Sequence, residues 1–158
     1  ALNHPNIVRT YEYIFEANDE QTDGVFYSVM EYCAGDLFEY VNGIRGPLTK
    51  SLVESIFLQV VDAVHYLHNL PNRVAHRDLK MDNICVLEDG TVKLIDFGGS
   101  RTLPEDSNTI IGVCGSDPYL SPEVANDPNT PYNPLALDVW SLGIVYVAMC
   151  SGHFPWEV

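Results

Sequence analysis

The sequence predicts an α+β fold, and three observations predict it. Apolar residues recur at helical spacing from Val53 to Leu67. Two β-branched runs flank Glu88-Asp89-Gly90, as the arms of a hairpin do. An almost wholly apolar segment runs from Leu137 to Met149. The 158 residues suit one compact domain, and a hydrophobic content of 46% is enough to build its core.

Taken in order, Ala1 to Arg9 has no initiator Met and reads as the middle of a domain. Val25 to Met30 is a β-rich apolar run after the turn-like Thr22-Asp23-Gly24, so it is expected to be a buried strand that Tyr32 to Gly35 breaks. Thr49 or Ser51 is placed to cap a helix, and Ser51 with Glu54 fits a capping box. Val53, Ile56, Phe57, Val60, Val64 and Leu67 supply its buried face, and Asn69 to Pro71 ends it. Ile84 to Leu87 and Thr91 to Ile95 form the hairpin. Ser100 to Pro118 is polar and turn-rich, and loops of that length are usually functional or disordered. Asn133 caps a last helix with Pro134 at its first position, and Leu137 to Met149 is apolar nearly all round, which implies burial.

Charge and cysteines narrow the function. Asp and Glu number 22 against 8 Lys and Arg, a formal charge of −14 that disfavours nucleic acid and anionic membranes and favours basic partners or metal-bound anions. Cys33, Cys85, Cys114 and Cys150 are far apart with no C-x-x-C pair, so neither zinc nor a disulfide framework is indicated and a reduced cytoplasmic setting is expected. Ala1 to Glu20 is too polar for a signal peptide, and Val139 to Cys150 reads as too short for a membrane span.

The chemistry lies around the hairpin. Asn83 precedes its first strand and Asp96 follows its second, and antiparallel pairing sets those ends side by side. Two hard oxygen ligands at one open end suit Mg²⁺, whose other positions go to water and phosphate. Asp78 and Lys80 lie on the short loop leading in. A carboxylate, an ammonium and a metal pair make a phosphoryl-transfer constellation: the carboxylate takes the proton of an attacking hydroxyl and the cations neutralise developing charge.

His76-Arg77-Asp78-Leu79-Lys80-Met81-Asp82-Asn83 resembles the protein-kinase catalytic loop H-R-D-L-x-x-x-N, Asp96-Phe97-Gly98 resembles D-F-G, and Ser121-Pro122-Glu123 resembles A-P-E. All three stand in the family's order, with the hairpin between the first two. The resemblance implies a serine/threonine kinase using ATP and Mg²⁺ on protein substrates. Asp78 would be the base, Lys80 the cation at the γ-phosphate, and Asn83 and Asp96 the Mg²⁺ ligands. Arg77 would couple the loop to the activation segment, Ser116 would support the base and receive the substrate, and Asp138 would hold the loop backbone. Met30 to Leu37 resembles the hinge, with Met30 as gatekeeper, the backbone at Glu31 and Cys33 bonding adenine, and Cys85 beneath it. Asp36 and Asp82 match positions where kinases that prefer basic sequences carry acids.

The same resemblance implies a kinase-like fold running over 1–30 as the end of the N-lobe, 31–36 as the hinge and 37–158 as the C-lobe. The Gly-rich loop, the strand Lys and the helix Glu of the family would lie before Ala1, and the Arg partner of Glu123 beyond Val158, so this piece alone is expected to be inactive. Thr10 stands where the apolar column containing His76 and Phe97 usually has an apolar residue, and Gly112 stands at the usual phosphosite, leaving Ser107 and Thr109 as fallbacks. Thr10, G-S-D-P-Y-L-S-P-E and Phe154-Pro155-Trp156 resemble the fungal branch that regulates nutrient and ion transporters. A pseudokinase scaffold, an inactive fragment acting as a binding module, and a small-molecule phosphotransferase are the competing readings; oligomeric state is not readable.

Overall fold

The computed structural model describes residues 2–17, 24–43, 48–104 and 107–156. Of the turn expected at Thr22-Asp23-Gly24, residues 22 and 23 lie outside them. Strand β1 (Thr10–Ala17) pairs antiparallel with β2 (Gly24–Met30), with an irregularity between Thr10 and Glu12. The strand expected at Val25 is present, but it is not buried: all seven residues of β2 are exposed. A two-stranded ribbon has two faces, and among the described residues nothing covers either one.

Helix α1 (Leu37–Gly43) follows the break at Tyr32–Gly35, with Asp36 Oδ1 accepting the Glu39 N–H at 2.8 Å to start it. Helix α2 (Lys50–His68) is capped by Thr49, whose side chain accepts from Leu52 N at 3.3 Å. The Ser51–Glu54 capping box therefore does not form. Thr49 has the extended backbone a cap needs, Ser51 already lies inside the helix, and Glu54 meets Lys50 one turn back at 3.6 Å. Val53, Ile56, Val60, Ala63, Val64 and Leu67 bury the inner face, and Asn69 closes the helix on His65 and Tyr66. Each of the Val, Ile and Leu side chains among them contributes roughly 1.5–3 kcal/mol of burial.

Strand β3 (Val74–Ala75) leads to the loop at His76–Lys80 and a 3₁₀ turn at Met81–Asn83. The expected hairpin follows as β4 (Ile84–Val86) and β5 (Val92–Leu94), in register Ile84 to Leu94 and Val86 to Val92. Strand β6 (Arg101–Thr102) returns to pair with β3, so the segment after the hairpin is tied back beside the entry to the loop. Among the described residues the rest of the expected long loop is largely irregular, with a bridge from Ile110 to Tyr132.

Helix α3 (Pro122–Asn126) is short, and α4 (Pro134–Ser151) is capped by Asn133 Oδ1 on Leu135 N at 3.0 Å. The apolar stretch was expected to be too short for a membrane span. As a helix it is 18 residues long, enough by length and composition, because Pro134 to Asp138 extend it; half of it is buried inside the protein. Nor is it buried all round. Leu137, Asp138, Ser141, Leu142, Ile144, Val145, Ala148 and Met149 face inward, whereas Val139 is 61% exposed and Trp140, Tyr146 and Val147 lie open. The core joins α2, α4 and the hairpin through Ile56, Leu67, Ile84, Leu94 and Met149.

Asn6 and Gln59 fasten the N-terminal segment to that core. Asn6 Nδ2 donates to Gln59 Oε1 and to Val92 O, both at 2.9 Å, and Gln59 Oε1 also accepts from Val92 N. Two side-chain amides thus satisfy both the N–H and the C=O of Val92 and tie three parts of the chain together.

Candidate active site

The His76–Lys80 loop is fixed from beneath by one buried carboxylate. Asp138, fully buried on α4, accepts the His76 N–H at 2.8 Å through Oδ2 and the Arg77 N–H at 2.7 Å through Oδ1. Arg77 has φ 70, a left-handed conformation that costs a non-Gly residue about 1–2 kcal/mol. That backbone turn aims the next residue, Asp78, outward while Arg77 itself runs inward to Tyr132 Oη at 3.3 Å and Gly99 O at 3.2 Å. The expected coupling of Arg77 to the segment after Asp96-Phe97-Gly98 is thus a direct hydrogen bond. Asp138 is more than a helix acid favoured by the dipole, since its oxygens are spent on the loop.

His76 completes the anchoring. Its ring is buried, bonds Ile95 O at 2.9 Å and packs edge-on to Phe97 at 4.9 Å between centroids. Burial holds its pKa below 6.5, against an opposing bond to Ile95 and the nearby Asp138, Asp78 and Asp96 charges. Thr10 lines a cavity of about 580 Å³ together with Met30, Asp96 and Phe97, so the exposed ribbon and the Asp96-Phe97-Gly98 turn line one cavity.

At the centre, four residues expected from the sequence meet. Ser116 Oγ donates to Asp78 Oδ1 at 2.8 Å, and Lys80 Nζ donates to Ser116 Oγ at 2.9 Å and lies 3.2 Å from Asp78 Oδ2. Asn83 Nδ2 donates to Asp78 O at 2.8 Å and Asp78 Oδ2 at 3.1 Å. A carboxylate with three donors on it is held in one orientation. Asp78 and Lys80 keep 19% and 23% of their side-chain surface, so a substrate can reach them.

Asp96 stands where the hairpin ends. Ile95 N donates to Asn83 O at 3.0 Å, which brings the Asn83 and Asp96 backbones alongside as the antiparallel pairing requires. Asp96 has φ 58, is exposed, and accepts from Gly98 N at 3.1 Å through Oδ1. Asn83 turns its amide nitrogen to Asp78, which leaves its carbonyl oxygen as the atom for a ligand. One amide oxygen and one carboxylate, both hard donors, fit a Mg²⁺ ion that takes its remaining ligands from water and phosphate.

Several of the residues expected to form the hinge lie beside β4. Asp36 bridges to Cys85, and Val86 N donates to Gly35 O at 3.4 Å. Cys85 is buried, and burial first, then the neighbouring Cys33 thiol, push it up to about 12. Glu31 uses its N–H on Arg9 O at 2.8 Å and its carboxylate on Lys93 at 3.1 Å, so its carbonyl is what it can offer a ligand. Asp36 spends one oxygen capping α1. Met30 is half exposed at the mouth of the cavity shared with Asp96.

Other contributors were not evident in the sequence. Tyr132 receives Arg77, Tyr119 Oη accepts from Met81 N at 3.4 Å and is pushed up to about 12 by burial, and His68 Nε2 lies 2.8 Å from Asp138 Oδ2. Gly99 admits Cys114, because a Cβ there would lie 2.7 Å from its sulfur. No spacing rule links these residues; only the fold brings them together.

A mixed helix and strand domain whose His-Arg-Asp loop, Asn83 and Asp-Phe-Gly turn meet at the open end of one hairpin has the site of a protein kinase. The chain belongs to the protein kinase domain family, whose model matches residues 1–158. It is 38% identical over 162 residues to the serine/threonine-protein kinase ppk8 of Schizosaccharomyces pombe, covering 100% of this chain and 29% of that protein. It is 40% identical to the nitrogen permease reactivator protein of Saccharomyces cerevisiae (100% of this chain, 19% of that one). It is also 40% identical to the testis-specific serine/threonine-protein kinase 2 of Mus musculus (99% and 42%). The chain thus spans less than half the length of each of these relatives.

Proposed function

We propose that this chain carries the phosphoryl-transfer centre of a serine/threonine protein kinase, which moves the γ-phosphoryl of ATP to a Ser or Thr hydroxyl of a protein. The observation that carries the reading is the Asp78 carboxylate, held by Ser116, Lys80 and Asn83 at 2.8 to 3.2 Å while still open to solvent. The relatives named serine/threonine-protein kinases support the acceptor class.

In the reaction, the substrate hydroxyl oxygen bonds to the γ-phosphorus as its bond to the β–γ bridging oxygen breaks, and ADP leaves. Asp78 orients the hydroxyl and receives its proton. Lys80 places its ammonium where charge develops on the phosphoryl oxygens, and Ser116 fixes the spacing between the two. Asn83 and Asp96 would hold Mg²⁺, which neutralises phosphate charge when bound. Glu31 and Cys33 offer backbone groups to the adenine, with Met30 and Cys85 on either side. Residues 1–30 form the end of the N-lobe, 31–36 the hinge and 37–158 the C-lobe. Asp36 and Asp82, in a chain of net charge −14, favour substrates with basic residues near the target. The free thiols of the four cysteines fit a cytoplasmic enzyme.

The test is phosphate transfer to a library of Ser/Thr peptides by the full-length protein and by its Asp78→Asn variant. Transfer by the first, at least about 10²-fold slower in the second, is expected for loss of a general base. Equal rates, or no transfer by either, would leave the scaffold reading in its place. A peptide array without Arg or Lys enrichment would remove the basic-substrate assignment alone.

A further inference from the structure

We propose that His68 is a positioning residue for phosphoryl transfer, acting on Asp78 through Asp138; this rests on the kinase reading above. His68 is the last residue of α2, and its ring keeps only 15% of its surface. Its Nε2 lies 2.8 Å from Asp138 Oδ2, the same oxygen that accepts the His76 N–H. The charged carboxylate can only accept, so Nε2 carries the hydrogen and donates it.

Asp138 is fully buried, with two backbone donors and this one imidazole on its two oxygens. A buried carboxylate is tolerated only when its lone pairs are met. Removing the imidazole leaves Oδ2 with a single partner in a dry site, and the carboxylate is then free to rotate away from the His76 and Arg77 amides. Those amides hold Arg77 at φ 70, one residue before Asp78. An error there displaces the Asp78 carboxylate relative to Lys80 and Ser116, and misplacement on the scale of 1 Å costs up to about 10²-fold in rate. ATP is held at the hinge, on other elements, so its binding should be spared.

Three variants of the full-length protein decide the matter. His68→Phe keeps the ring without a donor; His68→Gln keeps a donor at the Nε2 position; His68→Asn carries the same amide one methylene short. Two readouts are taken on each: kcat with KM for ATP, and hydrogen exchange at the His76 and Arg77 amides. The expectation is that Phe and Asn lower kcat about tenfold, as loss of one hydrogen bond to a charged group does, with KM for ATP changed less than about twofold. Their His76 and Arg77 amides should exchange about tenfold faster, and Gln should restore both. Unchanged exchange in Phe and Asn, or Gln as impaired as either, overturns the proposal. If Phe fails to fold, the Gln against Asn comparison decides alone. Should the wild type transfer no phosphate, the kinase reading fails, while the exchange comparison still judges whether His68 holds the loop.

Discussion

Asp138→Asn tests how much of the fold hangs on one carboxylate. The substitution keeps the shape and removes the charge. Asp138 has three donors: Arg77 N on Oδ1 at 2.7 Å, and His76 N and His68 Nε2 on Oδ2, both at 2.8 Å. An amide has one acceptor oxygen, so its NH₂ must face either the Arg77 amide or the His76 amide. His68 can switch its ring proton to Nδ1 and accept from an NH₂, but a backbone N–H cannot. One buried backbone donor is therefore orphaned in either orientation, at about 1–3 kcal/mol. The surviving bonds fall from charge-assisted to neutral, at about 1 kcal/mol more. The sum is about 3 kcal/mol, and Asp138→Ala, which orphans all three donors, should exceed it. Urea unfolding of the full-length protein, read on the transition of the kinase domain, measures this. A loss under about 1 kcal/mol for Asn, or a milder effect for Ala than for Asn, would refute the account of how the loop is held.

The remaining predictions draw on single groups. Ser121 Oγ is buried with no hydrogen-bond partner among the described residues, so Ser121→Ala should raise stability by up to about 1 kcal/mol in urea unfolding, and a loss would show the hydroxyl is satisfied. His76 has its pKa held below 6.5 by burial, so the unfolded chain binds the extra proton first as pH falls. Stability should be flat above pH 6.5 and decline below it, by at most about 1.4 kcal/mol per pH unit from this residue, and His76→Phe should reduce the slope in the urea midpoint between pH 7.5 and 5.5. Cys85 is buried and pushed up to about 12, whereas Cys33 is partly exposed, so a thiol-reactive adenine mimic should label Cys33 first and ATP should protect it. Mass-spectrometric labelling that ATP leaves unchanged would remove both cysteines from the nucleotide site.

Local chemistry was legible in the sequence wherever the signal is itself local. The α2 periodicity, the Asn133–Pro134 start of α4 and the Glu88-Asp89-Gly90 turn each rest on a few neighbouring residues, and each is present. The Asn83–Asp96 approach was also legible, because antiparallel pairing leaves a hairpin's ends no other place. Among the elements that went unread, α1 is only seven residues with one buried side chain, and β3 and β6 are two residues each, too short for any period to show.

Burial was read least well, and the reason is physical. An apolar run says that a segment can be covered, not that something lies there to cover it. The run in β2 and the outer face of α4 are equally apolar to the core, yet Phe26 is 75% exposed and Val139 61%. Trp140 stacks on Trp156 at 5.9 Å across that face, two large rings sheltering each other where no further element among the described residues does. Polar residues give the opposite case. No period distinguishes Asp138 or His68: Asp138 stands out only through the family resemblance, and His68 sits in the sequence as an ordinary helix-end histidine. What marks them is that the loop above has two backbone N–H groups it cannot satisfy itself, one of them on a residue at φ 70. A buried backbone donor demands an acceptor, so asking where those two bonds go would have led to Asp138, and asking what else Asp138 Oδ2 accepts leads to His68.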